Sequence, residues 1–241
     1  MSALILKLIA AASMLADHTG LMLFPDIEML RIVGRLAFPI YAFFIAEGFR
    51  YTRNRHRYFL RIFLLGAACQ LVYTIAEKDF YIGVLLTFSL SIIVMAFVDK
   101  VKKAIRGEEN IFETLLAQVS KNKPPKAFVI MFASAASVFV IALVYMLCKV
   151  VEVDYGFWGV MLPVFTSLFG ERYQRLASFS LGLILMCIFI SPGFTNQYYS
   201  LVTIPLLCAY NGEPGKPRMK YFFYIFYPAH LALIYLISLF M

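Results

Sequence analysis

Charged side chains are scarce in this sequence of 241 residues, of which 15% are charged and 62% are hydrophobic. A soluble domain is typically about 25% charged and about 45–50% apolar. A chain of this size has no single core that hides so many apolar side chains, because small domains keep much of their surface exposed. The composition therefore excludes a soluble globular domain and predicts that many side chains face lipid.

Cysteine is also rare, and its four copies lie inside or at the edge of apolar runs: Cys69, Cys148, Cys187 and Cys208. A disulfide scaffold belongs to small secreted domains with loop cysteines, and a thiolate metal site uses close pairs such as C-x-x-C. Neither pattern is present in the sequence. We therefore expect these cysteines to be small packing residues and expect no metal site.

Long apolar runs take the place of polar surface, and a membrane span needs about 20 mostly apolar residues. The candidate spans are 4–24, 32–49, 62–76, 80–98, 127–147, 155–169, 176–190, 198–210 and 221–241. The runs 155–169 and 198–210 are short and contain glycine and proline, so tilted, re-entrant or broken helices are alternatives there. The sequence predicts a single all-α integral membrane domain over 1–241, a polytopic bundle of about nine transmembrane helices.

Lysine and arginine concentrate on one side of this predicted bundle, which holds 18 of the 22. The segments on that side are 1–7, 50–61, 99–126, 170–175 and 211–220. Because short cytoplasmic loops carry the positive charge, the N-terminus is predicted inside and the C-terminus outside. The net charge of +8 thus reflects topology, and we expect no nucleic-acid partner. The loop 99–126 contains helical apolar spacing over 111–119, which predicts an interfacial helix.

Polar side chains inside the spans are few, and a charged one costs at least about 2.5–3.5 kcal/mol on insertion scales. They are Asp17, His18, Arg35, Glu47, Gln70 and His230. Ionisable groups in such positions are candidates for a functional site. Four of the six fall in the first two spans, so we expect the chemistry within the first 60 residues. Gln70 is expected to form a hydrogen bond between helices.

Lys7 and His18 are eleven residues apart, which is close to three helical turns, so they share one helix face about 16 Å apart. Lys7 would lie at the cytoplasmic surface and His18 deep in the membrane. Acyl-coenzyme A fits this arrangement, with phosphates at one end, a slender arm and a thioester at the other. The alternative is a lysine that reaches the interface and a histidine that packs between helices.

The other ionisable residues of the first two spans have two interpretations each. Asp17 needs a nearby cation, and Arg35 lies at similar depth, so a structural ion pair is one interpretation and direct catalysis by Asp17 the other. Glu47 lies near Arg50, where it forms an ion pair at the helix end or binds substrate. His230 has a packing role or a role in the site. The catalytic candidates are His18, Asp17 and Glu47.

Five arginines surround the turn between the second and third spans, and their guanidinium groups suit bidentate binding of phosphate. The alternative is the positive-inside bias together with lipid head groups. The candidates for coenzyme A binding are Lys7, Arg35, Arg50, Arg53, Arg55 and Arg57.

Several segments together resemble the TraX family of membrane proteins, which is named for acetylating the N-terminus of conjugative pilin. The segments are MLADHTG at 14–20, GRLAFPI at 34–40, EGFRYTRN at 47–54, YNG at 210–212 and KYFFYIFYPAHL at 220–231. The resemblance spans nearly the whole chain apart from about 99–150. It implies a multi-pass protein of the inner (cytoplasmic) membrane that uses acetyl-coenzyme A, with His230, Tyr227 and Asn211 as substrate-binding or supporting residues.

More distantly, a basic residue followed by ten others and a histidine is similar to the signature of membrane acyltransferases that acetylate surface polysaccharides. That resemblance implies that His18 is the catalytic candidate and that cytoplasmic arginines hold coenzyme A. Lys7 stands where arginine is common, so it would contact phosphate as a point charge and leave bidentate binding to residues 50–61.

The leading hypothesis is an acetyltransferase in which neutral His18 acts as general base on an amine or hydroxyl of the acceptor. The acceptor would be a peptide, a sugar or a small molecule. A proton-coupled small-molecule transporter is the alternative, because intramembrane His, Asp and Glu also occur in transporters. Transporters usually have paired halves, which are not evident in this sequence. A non-enzymatic scaffold would leave the polar cluster of the first two spans unexplained.

Overall fold

The computed structural model describes residues 1–77, 81–120, 123–190, 193, 195–216 and 219–240, and these residues form helices joined by short turns. The α-helices are α1 (Ala3–Met22), α2 (Glu28–Gly34), α3 (Ala37–Tyr51), α4 (Arg55–Glu77), α5 (Val84–Arg106), α6 (Ile111–Ser120), α7 (Lys126–Val150), α8 (Gly156–Ser167), α9 (Arg172–Ile190), α10 (Thr203–Cys208) and α11 (Lys220–Ser238). A 3-10 helix, Asn196–Val202, leads directly into α10. The predicted all-α polytopic membrane fold is confirmed.

Seven helical segments of the described residues are long and apolar enough to cross a membrane, with α2 and α3 counted together as one segment. They correspond to seven of the nine predicted spans. The other two predicted spans are the short ones: α8 has 12 residues, and the 198–210 segment is the 3-10 helix followed by α10.

Both short segments run between the same two ends of the bundle. We name these the Lys7 end, where α1 begins, and the Asp17 end, where α1 finishes. α8 starts beside the first residues of α5, where Ile82 pairs with Val153, and it finishes where Lys102 of α5 donates a hydrogen bond to the carbonyl of Ser167. The number of crossings and their direction stay predictions, and these contacts support α8 as one of them.

The 3-10 helix and α10 likewise connect the two ends. At the Asp17 end, the Asn196 side chain donates a hydrogen bond of 3.0 Å to Glu28. At the Lys7 end, Arg172 donates one of 2.8 Å to the carbonyl of Cys208, and the Asn211 amide bonds the carbonyl of Met1. The segment therefore passes along the bundle in two short helical pieces, one of which has the longer rise per residue of a 3-10 helix.

The second predicted span is a broken helix, divided between α2 and α3 at Arg35 and Leu36. Pro39 explains the break, because a proline ring clashes with the carbonyl four residues earlier, which is that of Arg35. Gly34 lets α2 approach α1, since a Cβ at this position would lie 2.3 Å from Asp17. The break and the close approach bring the arginines of α2 to the end of α1.

The main core lies among α3, α5, α8 and α9. Its largest fully buried side chains include Phe43, Phe179, Met95 and Leu162. A smaller cluster packs α6 against α7 through Phe112 and its neighbours, so the helix predicted at 111–119 is present as α6. α5 is longer than predicted and ends at Arg106. The next residue, Gly107, caps the helix with a φ of 73°, which suits glycine at a helix C-terminus.

Candidate functional site

A cavity of about 1800 Å³ extends between α1, α3, α4 and α11 from the Lys7 end to the Asp17 end of the bundle. Lys7, Met14 and His18 all line it, as expected for residues on one face of α1. The Lys7 ammonium lies 4.9 Å from the centre of the Phe44 ring, which also belongs to the cavity wall. A ligand in this cavity would therefore meet a cation at one end and an imidazole near the other.

His18 and His230 form a hydrogen-bonded pair that joins α1 to α11. The Nε2 atom of His230 lies 3.2 Å from Nδ1 of His18, and the two rings meet edge to face with their centroids 5.0 Å apart. His18 Nδ1 also lies 2.9 Å from the carbonyl oxygen of Met14, and His230 Nδ1 lies 2.8 Å from that of Phe226. The structure therefore places His230 in direct contact with the leading catalytic candidate.

These contacts define the tautomer of each neutral imidazole. A carbonyl oxygen only accepts hydrogen bonds, so Nδ1 of each ring carries the proton and donates it. The single Nδ1 proton of His18 is then shared between the Met14 carbonyl and the Nε2 lone pair of His230, which lies at the longer distance of 3.2 Å. The Nε2 atom of His18 also keeps its lone pair, and a general base accepts a proton through such a lone pair.

The predicted ion pair of Asp17 with Arg35 is present, and Arg31, which was not predicted, is a second and closer partner. Arg31 Nη1 lies 3.0 Å from the Asp17 carboxylate and also bonds the Asp17 carbonyl at 3.2 Å, whereas Arg35 Nη2 lies 4.0 Å from the carboxylate. Arg31 is carried by α2, which begins at Glu28. Both arginines line the cavity at the Asp17 end.

Glu47 does not line the cavity, and its partner is Arg175 instead of the predicted Arg50. Both Glu47 and Arg175 are buried, and Arg175 Nη1 contacts Glu47 Oε1 between α3 and α9. Arg50 instead donates a hydrogen bond of 2.5 Å to the carbonyl of Gly170. The expected ion pair at the helix end is therefore replaced by a buried pair between two helices.

The arginines predicted to bind coenzyme A divide into two groups. Arg50 holds Gly170, and Arg55 contacts the Asp99 carboxylate and lies 4.3 Å from the Phe49 ring. The side chains of Arg53 and Arg57 are exposed. Arg35 lies at the opposite end of the bundle, beside Asp17, so it does not join this group.

The remaining predicted residues have distinct positions. Tyr227 lines the cavity. Asn211 lies outside it and builds a turn, where its side-chain oxygen accepts a hydrogen bond of 3.1 Å from the Glu213 amide. Gln70 accepts a hydrogen bond of 3.1 Å from the amide of Gly83 and so ties α4 to the start of α5, as its position predicted.

Sequence reasoning missed several polar residues around the Asp17 end of the cavity. Asp154, Tyr81 and Tyr155 line it, and the first two are joined by a side-chain hydrogen bond. Asp154 lies between the predicted spans 127–147 and 155–169, outside the apolar runs in which polar residues were considered. Its neighbour Glu152 also lines the cavity. Arg31 and Arg35 are four residues apart, which places them on one helix face. This spacing would have predicted that both arginines lie near Asp17.

Comparison with known proteins gives one family and two relatives. The model of the TraX protein family matches residues 2–238. The chain is 24% identical to the probable fimbrial assembly protein FimC, serogroup H1, of Dichelobacter nodosus, across 97% of this chain and 94% of that protein. It is 37% identical to an uncharacterized protein of Rickettsia prowazekii across 32% of this chain and 29% of that protein. No solved structure matches. Since the family model covers nearly the whole sequence, the chain belongs to the TraX protein family.

Proposed function

We propose that this protein is an acetyltransferase of the inner (cytoplasmic) membrane that moves an acetyl group from cytoplasmic acetyl-coenzyme A to an amine or hydroxyl acceptor. His18 is the general base. The observation that carries the proposal is the single cavity that has Lys7 at one end and the free Nε2 of His18 towards the other.

The residues around the cavity fit the donor. Its phosphates need cations at the Lys7 end, where Lys7 lines the cavity. Arg53 and Arg57 are exposed in the segment after α3, outside the cavity lining, and would extend this set of cations. Arg50 and Arg55 already hold protein groups, so they position the 50–61 turn. The apolar wall between the two ends suits a slender arm that carries the thioester to His18.

The chemistry that the donor supplies is an activated acetyl group on sulfur. The acceptor nitrogen or oxygen forms a bond to the acetyl carbonyl carbon, and the bond from that carbon to sulfur breaks, with the electron pair leaving on sulfur. His18 Nε2 takes the proton of the acceptor and then gives it to the departing sulfur. General base catalysis of this kind contributes typically 10²–10⁴-fold.

His230 is a positioning residue in this scheme. Its Nε2 lone pair shares the Nδ1 proton of His18 with the Met14 carbonyl, which keeps the second ring nitrogen of His18 free for the acceptor. When His18 gains a proton, the same lone pair and the Met14 carbonyl stabilise the imidazolium. In many enzymes with a catalytic histidine, a second group hydrogen-bonds to the other ring nitrogen and so fixes the tautomer of the base.

The relative from Dichelobacter nodosus is named as a probable fimbrial assembly protein. Together with membership of the TraX family, this name supports a pilin or fimbrial subunit as the acceptor, and a sugar or small molecule is the other class. The apolar helices support a location in the membrane where such a subunit would meet the cavity.

The test uses the purified full chain with acetyl-coenzyme A. A ligand that binds only the folded state raises apparent stability, so acetyl-coenzyme A should raise the melting temperature. Replacing both Arg53 and Arg57 with glutamine should reduce this rise in melting temperature. When an acceptor is supplied to the wild-type protein, the free thiol of coenzyme A should accumulate. If acetyl-coenzyme A produces no stabilisation, the proposal is wrong and a transporter becomes the better hypothesis.

A further inference from the structure

Asp154 is held rigidly at the Asp17 end of the cavity. Its amide donates a hydrogen bond of 2.8 Å to the carbonyl of Ile82, and its own carbonyl accepts one of 3.1 Å from the Thr87 hydroxyl. The Ile82 amide in turn bonds the carbonyl of Glu152 at 2.8 Å. The turn between α7 and α8 is thus tied to the start of α5, which holds the Asp154 backbone at this end of the cavity.

The next residue, Tyr155, adopts a backbone conformation that side chains rarely take. Its φ is 58°, in the left-handed region, and it is the only such non-glycine residue among those described. Its ring stacks on Phe38 with centroids 3.7 Å apart. A Cβ at Gly159 would lie 2.4 Å from the Tyr155 Cβ, so glycine makes room for this arrangement. Strain of this kind is held in place by packing and often accompanies a functional site.

Asp154 lines the cavity, where Arg35 acts on its carboxylate from beyond salt-bridge distance. Tyr81 donates a hydrogen bond to it, and within the described ranges no salt bridge includes it. Asp17, by contrast, has Arg31 within 3.0 Å. Burial raises the pKa of the Asp154 carboxyl to about 6, although the hydrogen bond from Tyr81 opposes the shift. Buried carboxylates are normally paired with a cation at salt-bridge distance, and this carboxylate borders the cavity instead.

The charges around this end of the cavity favour a positively charged ligand. Of the described residues that line it there, three are acids and two are arginines. The acids are Asp17, Glu152 and Asp154, and the arginines are Arg31 and Arg35. The Asp17 end therefore carries one net negative charge when all are ionised, whereas the Lys7 end carries a positive one. A cavity charged in this way attracts an anion at one end and a cation at the other.

We propose that Asp154 binds the ammonium group of the acceptor and is the residue by which the protein selects amines over alcohols. This inference rests on the proposed function, because it names the residue that recognises the acceptor in that same cavity. The ammonium group gives one proton to the Asp154 carboxylate, which releases it to water. The second proton passes to His18 Nε2 during attack and then to the departing sulfur, so the products are an acetylated amine and free coenzyme A.

A binding experiment tests this assignment without requiring turnover. Phenethylamine, which is protonated at neutral pH, and 2-phenylethanol share one skeleton and differ in the ammonium group. We expect the amine to raise the melting temperature of the purified full chain and the alcohol to have little effect. Asp154→Asn should weaken binding of phenethylamine by about tenfold to hundredfold, the usual loss for a charged hydrogen bond.

Asp26→Asn is the matched control, because it removes a carboxylate from the exposed turn after α1, at the same end of the bundle but outside the cavity lining, and should keep the response to the amine. The inference is overturned if Asp154→Asn retains the wild-type response, or if the wild type fails to prefer phenethylamine to the alcohol. Acetyl-coenzyme A is added to parallel samples of each variant. If acetyl-coenzyme A does not raise the melting temperature of the wild type, the proposed function is refuted. The comparison of amine and alcohol would still report on Asp154 in that case.

Discussion

Replacing Glu47 with glutamine should destabilise the fold strongly, because Arg175 would keep its charge in a buried position without a carboxylate. Both residues are at most 9% exposed and contact each other between α3 and α9. Breaking a buried ion pair by removing one partner costs about 3–5 kcal/mol. At roughly 2–4 °C per kcal/mol for a chain of this length, the melting temperature should fall by about 6–20 °C.

The chain offers a direct assay, because Trp158 is its one tryptophan. Trp158 lies on α8 and stacks on Phe189 of α9, with ring centroids 4.7 Å apart. Its fluorescence should change when α8 and α9 separate. Thermal unfolding of the detergent-purified protein, followed by this fluorescence, therefore reports on the region that the ion pair holds.

Two further variants make the experiment decisive. Glu113→Gln removes an exposed pair with Lys123, at 3.2 Å, and should cost less than about 1 kcal/mol. The double change of Glu47→Leu with Arg175→Met removes both charges and should recover much of the lost stability. If Glu47→Gln melts no lower than Glu113→Gln, the structural role is refuted. Loss of acetyl transfer in that same stable variant would return Glu47 to the catalytic candidates.

Three other predictions address topology, donor binding and pH. A reporter that is active only in the cytoplasm should be silent at the C-terminus, and a strong signal would contradict an odd number of crossings. In folded protein, the double variant Arg53→Gln with Arg57→Gln should weaken acetyl-coenzyme A binding more than the double variant Arg50→Gln with Arg55→Gln. High salt should reproduce the effect on binding. Equal losses in the two double variants would contradict the division of these arginines into two groups. Because the folded pKa of Asp154 is raised from 3.8 to about 6, its contribution to the free energy of unfolding falls as pH rises through that interval. Asp154→Asn should therefore be more stable than wild type by up to about 3 kcal/mol above pH 6 and equal to it below about pH 4; an unchanged difference across pH would contradict the shift.

The features that follow from local geometry were predictable from the sequence. Nine apolar runs predicted the helical membrane fold, and the spacing of Lys7 and His18 predicted a shared helix face, because three turns of helix fix it. The break at Arg35 was also predictable, since the clash of Pro39 with the carbonyl four residues earlier depends only on neighbouring residues.

The partners of the buried polar residues depend on contacts between distant parts of the chain. His18 and His230 are separated by 212 positions, and Glu47 and Arg175 belong to helices that five other helices separate. No local pattern selects one distant partner over another of the same charge. Sequence reasoning therefore chose the nearest cation for Glu47, and it gave His230 two equal interpretations.

Asp154 shows why residues in predicted loops were underestimated. A carboxylate between two apolar runs is normally solvated, whereas contacts of this turn with Ile82 and Thr87 place Asp154 at the cavity. These contacts join two parts of the chain that are about 70 residues apart in the sequence. The acids and tyrosines of the Asp17 end therefore became visible only in the folded chain.

The most direct test of the catalytic assignment compares His18→Ala with wild type for acetyl transfer and for stabilisation by acetyl-coenzyme A. We predict that turnover falls by about 10²–10⁴-fold while the stabilisation persists, because His18 supplies the base and the Lys7 end binds the donor. His56→Ala, a change at an exposed histidine, is the control and should keep full activity. Near-normal turnover by a folded His18→Ala protein would contradict the account.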